Sequence, residues 1–129
     1  MKISVEAEVS PSEDPEKVAQ AVMNVVGESP GQVKRSGSEV RYSSEEAGSL
    51  AHLRDQLRDR RVRAVARRLL DDARQGRSTE LMINRQAAVA GAIVLCASQD
   101  ESPLGPIFLR IESDRLDQVI GWLTAYEGG

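Results

Sequence analysis

Apolar and polar positions alternate at the start of the chain and then change period. Ile3, Val5, Ala7 and Val9 interleave with Lys2, Ser4, Glu6 and Glu8, and a period of two puts one set on each face of a β-strand. The following "SEDPEKVAQAVMNVVG" moves to a helical period, with Val18, Ala21, Val22, Val25 and Val26 on one stripe. Asp14 stands at the N-cap, Pro15 at the first helical position and Gly27 just past the end. A strand followed by an amphipathic helix lying on the sheet is the expectation. In "QVKRSGSEVRY" two short alternating stretches flank Ser36 and Gly37, which predicts a hairpin.

The next stretch breaks phase. Ser43 and Glu46 have the spacing of a capping box, and Leu50, Leu53 and Leu57 share a stripe that would next meet Arg61 and Arg68. Val62, Val65, Ala66, Leu69 and Ala73 form a second stripe on a different line, so two helices, or one kinked helix, should change phase around Asp59 to Arg61. On the second helix this phasing puts Arg63, Arg67 and Arg74 on one outward flank and Arg68 on the other.

Beyond it, a strand is expected at about Thr79 to Ile83, then a polar corner at Asn84, Arg85 and Gln86. The apolar run 88–96 reads equally as a buried strand or a helix. In "SPLGPIFLRIES" the residues before Pro103 and Pro106 are pushed toward extended conformations, and Ile107, Leu109 and Ile111 then alternate with Phe108, Arg110 and Glu112. A rigid turn feeding a strand fits. Leu116, Val119, Ile120 and Leu123 make a last helical stripe before Gly128 and Gly129.

Composition narrows this to one unit. A chain of 129 residues, 40% apolar and 29% charged, suits a single domain that buries about two thirds of its unfolded surface. The expected architecture is a single α+β domain over residues 1–129: a mixed, partly antiparallel sheet with amphipathic helices packed chiefly on one face. The longest nearly apolar run, Ala87 to Ala97, is shorter than the ~18 residues of a spanning helix, so no membrane contact is expected. The single cysteine, Cys96, excludes an intramolecular disulfide, and its apolar setting reads as a buried thiol in a cytoplasmic protein.

Charge changes the picture, because the net −3 averages unlike segments. Residues 1–46, 47–85 and 86–129 carry −4, +5 and −4, and screening confines each field to about 10 Å. Seven arginines fall between Arg54 and Arg68. Guanidinium groups spaced along a rigid helix fork onto phosphate oxygens and stay charged at any working pH. Arg63, Arg67 and Arg74, with Arg60 nearby, meet that need. The plainer alternative is a solvated face, since Asp55, Asp59, Asp71 and Asp72 sit three or four residues from arginines. Asn84, Arg85 and Gln86 are three hydrogen-bonding side chains that a loop could present to RNA. Equally, Asn84 and Gln86 would satisfy nearby backbone while Arg85 faces water. With Tyr42, Phe108, Trp122 and Tyr126 as the only aromatics, no stacking cluster is expected and any binding should be to backbone or shape.

Enzyme chemistry finds less support. One His and one Cys cannot build a Cys/His zinc site, and the phosphate-cradling, dinucleotide and nucleophile-elbow glycine patterns are absent. His52 and Cys96 as a dyad are disfavoured, because an apolar-flanked cysteine is usually inert. The neighbouring acids Asp71 and Asp72, or Glu45 and Glu46, read as surface charge or capping. The expectation is a non-enzyme with no cofactor and no metal.

Several stretches together carry a resemblance: the opening strand, "EDPEKV", "LRDQLRDRRVRAVARRLL", "INRQAAVAG", "ESPLGPI" and "VIGWL". Along nearly its whole length the chain resembles the UPF0201 family of uncharacterised archaeal proteins, most specifically in "NRQAA" and "SPLGPI". The resemblance implies an α+β fold similar to that of ribosomal protein L5, which binds five-S ribosomal RNA, and an RNA-binding role; it brings no catalytic residues. The expected partner is structured RNA or a ribonucleoprotein, met through residues 54–85. The competing expectation is a protein-interaction module, a homodimer for instance, joined through a sheet edge or the Trp122 helix.

Overall fold

The computed structural model describes residues 1–27 and 31–125; Tyr126, Gly128 and Gly129 lie outside them. Alternation at the N-terminus becomes β1 (Lys2–Glu8), with Ile3, Val5 and Ala7 buried. Helix α1 (Pro15–Val26) starts where the Asp14 carboxylate accepts the Glu16 N–H, and it buries the predicted valine stripe. It ends at Gly27, whose φ of +65° and closeness to His52 exclude a side chain: a Cβ there would lie 2.7 Å from the His52 ring. The hairpin is β2 (Gln32–Arg35) and β3 (Glu39–Ser44).

The phase change marks a real break. A 3-10 turn (Ala47–Leu50) leads into α2 (Ala51–Gln56), which buries Leu50, Leu53 and Leu57, and Asp59 then caps α3 (Arg60–Asp72) through the Arg61 N–H at 2.7 Å. Two expectations are corrected here. Ser43 lies inside β3, and the Glu46 N–H donates to Ser44 instead, so no Ser43–Glu46 capping box forms. On α3, Ala66 and Leu70 are buried, Val62 and Leu69 are partly covered, and Val65 is 39% exposed. The helix is thus rolled by roughly half the 100° step between successive residues. Leu70, absent from the predicted stripe, is its best-buried side chain, and its carbonyl accepts the Thr79 hydroxyl at 2.5 Å.

β4 (Ser78–Ile83) follows, and the ambiguous apolar run resolves into both alternatives: α4 (Arg85–Val89), then β5 (Leu95–Cys96). β6 (Ile107–Glu112) buries Ile107, Leu109 and Ile111, and α5 (Leu116–Thr124) buries Leu116, Ile120 and Leu123. The strands form one sheet in the order β2-β3-β1-β6-β4-β5. Its ladders are all antiparallel, so the mixed pairing expected does not occur among the described residues.

One face of this sheet carries the core. α1 packs on β1 and β3, and α3 packs on β4 and α5. The opposite face is polar, and register neutralises its charges: Glu6 pairs with both Arg41 and Arg110, Arg110 also meets Glu80 at 3.1 Å, and Arg41 meets Glu39 at 3.2 Å. This is the cross-strand pairing that sheets favour.

Candidate nucleic-acid interface

The roll of α3 redistributes its arginines. Arg63 turns to the edge of the buried side, where its guanidinium donates to the carbonyls of Leu57, Arg54 and Ala125. Those of Leu57 and Ala125 lie just past α2 and α5, where carbonyls lack intrahelical partners, while that of Arg54 also accepts the Leu57 N–H. Arg74 pairs with Asp117 near the start of α5. The flank expected to face water thus borders the seam between α3 and α5, tied at both ends, with Arg67 and Arg74 exposed along it. Arg67 lies between these ties and stays well exposed, with Asp71 at 4.0 Å as a loose i,i+4 partner.

The outward centre of α3 belongs to other residues. Arg61 and Arg68 are exposed, and neither has an ion-pair partner within 4 Å among the described residues. Arg60 is exposed beside them. The acids of α3 stand at its C-terminal end, so the first two turns present cations beside Ala64 and Val65. In the sequence reading, phasing the stripe on Leu69 sets Arg68 on the second outward flank and Arg61 at the phase change; phasing on Leu70 brings both to the front.

The polar corner is interior. Arg85 is 3% exposed, so it neither faces water nor presents a free guanidinium. It donates to the carbonyls of Gly105 (2.9 Å) and Glu8 (2.6 Å) and to the Glu13 carboxylate at 2.7 Å, and its backbone N–H donates to Ser102 at 3.1 Å. Burial pushes the Glu13 carboxyl up, but the Ser10 N–H and the Arg85 hydrogen bond and charge outweigh it, and its pKa lies below the ordinary carboxylate value. Asn84 caps α4 by accepting the Ala87 N–H at 2.9 Å and donates to the Glu101 carbonyl. Gln86 alone of the three is exposed. The segments "EDPEKV", "NRQAA" and "SPLGPI" thus converge on one arginine.

Cys96 is buried at the sheet edge beside Met82, and burial, then the Glu101 charge, pushes its thiol up, away from the reactive thiolate. No hydrogen bond joins it to His52. The described residues contain no cluster of three His, Cys, Asp or Glu able to hold a metal, and no helix among them is long and apolar enough to cross a membrane.

A family model described as RNA binding matches residues 2–113. A UPF0201 protein of Methanothermobacter thermautotrophicus is 38% identical over 95% of this chain and 90% of its own length. The chain belongs to the UPF0201 family. A second UPF0201 protein, from Aeropyrum pernix, is 36% identical over 96% of this chain and 85% of its own. Among solved structures, the UPF0201 protein of Methanococcus jannaschii superposes with a TM-score of 0.79 at 22% identity, covering 100% of this chain and 96% of the other. The single α+β unit derived above is thus a UPF0201 fold. The matched span stops before α5, the helix that carries Trp122.

Proposed function

We propose that this chain binds structured RNA, alone or within a ribonucleoprotein, through phosphate contacts made by the outer surface of α3. Arg61 and Arg68 stand at its centre, with Arg60 and Arg67 on its flank. One observation carries the reading: in a chain of net charge −3, these two guanidinium groups are exposed, set on a rigid helix and not neutralised. Asp71 and Asp72 stand one turn from Arg68, yet neither comes within ion-pair distance of it, whereas Arg41 and Arg110 on the sheet face each meet glutamates. Membership of a family described as RNA binding supports the same reading. Of the residues first singled out, Arg85 is buried, Arg63 and Asn84 are held by backbone partners, Arg74 is exposed but paired with Asp117, and Gln86 is exposed away from α3, on α4. The role is binding, without catalysis and without a cofactor, in the cytoplasm.

The test is salt dependence on an RNA duplex. Each phosphate neutralised contributes roughly −0.9 to the slope of log affinity against log salt. Changing Arg61 and Arg68 to Glu should weaken duplex binding at low salt and flatten that slope by about 1.8. An unchanged slope in a folded variant would remove α3 from the interface. A monomer–dimer shift in place of an RNA effect would favour the homodimer reading.

A further inference from the structure

Trp122 is the chain's single tryptophan, and it is 42% exposed on α5. The ring is not loose. The Arg54 guanidinium lies over it at 5.3 Å from the centroid, and Arg54 Nε–H donates to the Trp122 carbonyl at 3.0 Å, so α2 and α5 hold the pair together. One turn further along, Arg63 grips the carbonyl of Ala125 and the carbonyl of Arg54 itself, which fixes this assembly to α3.

We propose that Trp122, braced by Arg54, is a stacking platform for an unpaired nucleobase of the RNA whose backbone lies on α3. This deepens the reading above and rests on it. The chemistry required is a flat π-system carried on a polyanion: the ring offers a face for any base, and the Arg54 guanidinium over it favours an anionic ligand. A second copy of this chain is the poorer occupant, because a two-fold contact centred on Trp122 brings Arg54 and Arg63 toward their own copies. Position agrees. Arg63 and Arg74 tie α3 to the two ends of α5, with Arg67 exposed along the seam, so platform and backbone surface adjoin. The preferred RNA is then a duplex interrupted by a bulge or loop, in place of a continuous helix or a bare single strand.

The full chain is titrated with a blunt RNA duplex and with the same duplex carrying an unpaired purine bulge, reading both affinity and Trp122 fluorescence. The bulged duplex should bind roughly tenfold tighter and quench the fluorescence, as loss or gain of one base–aromatic stack would give. Trp122→Ala should bring the bulged duplex to the affinity of the blunt one, while Trp122→Phe, which keeps a flat ring and guards against misfolding, should retain most of the preference. Equal affinity for both duplexes with unmoved fluorescence, while the Arg61 and Arg68 reversals still weaken both, overturns the platform and leaves the α3 reading intact. If neither duplex binds, the RNA reading falls and the platform with it. Conversion of a dimer to a monomer by Trp122→Ala, with RNA affinity unchanged, would assign the ring to a second copy and likewise overturn the proposal.

Discussion

Arg85 and Arg68 are the same residue type on two parts of one molecule, and their surroundings give them opposite work. At the corner after β4, two carbonyls and a carboxylate converge on Arg85, and the guanidinium is consumed as a buried rivet. On α3 the turn around Arg68 offers it no ion pair, and the charge stays available to solvent or ligand. Arginine content alone therefore predicts neither role. What decides is whether unsatisfied oxygens already point at the site, because a guanidinium with five fixed donors goes where acceptors are preorganised.

Substitution should separate the two regions by magnitude. Arg85→Ala strands the Glu13 carboxylate and two carbonyls, and removing one partner of a buried pair costs about 3–5 kcal/mol; urea denaturation should show that loss, and whatever remains folded should bind RNA unchanged. Arg63→Ala should come next, at about 1.5–3 kcal/mol for hydrogen bonds from a charged donor, read the same way. A smaller effect is acidic. Because the folded Glu13 pKa is depressed, the unfolded chain binds more protons in mild acid, so the Glu13 contribution is complete above the unfolded value near ~4.3 and is lost as pH falls through the folded one. Glu13→Gln should flatten that part of the stability–pH profile. Smallest on stability is Arg61→Ala with Arg68→Ala, within about 0.5 kcal/mol per site, although RNA affinity should drop. A large stability loss there, or a weak one for Arg85→Ala, would break the distinction between the two regions.

Most of the fold was legible because its elements announce themselves locally. Alternation gave β1 and β6, a proline and an aspartate gave the start of α1, and the broken leucine stripe gave the gap between α2 and α3. The face on which α3 packs was not legible, since Leu69 and Leu70 are equally apolar and only the tertiary fit, with Thr79 reaching the Leu70 carbonyl, selects between them. That one-residue ambiguity moved Arg63 from the expected surface to the seam and brought Arg61 forward. Arg85 was misplaced for a related reason: its acceptors come from Glu8, Glu13 and Gly105, which nothing in the local sequence links. Likewise the Arg54–Trp122 pair joins residues far apart in the chain, beyond the reach of any periodicity.

The strand order also sets a timetable for folding. β1 pairs on one side with β3, available once residue 44 has been made, but on the other side with β6, which ends at Glu112. While the ribosome is still adding the middle of the chain, the early unit of β1, α1, β2 and β3 therefore presents an unpaired β1 edge beside a half-covered apolar face. Closing so long a loop is slow, and an open edge is where chains recruit one another. The lysine and glutamates along β1, which point away from the core, are placed to keep nascent copies apart until β6 arrives.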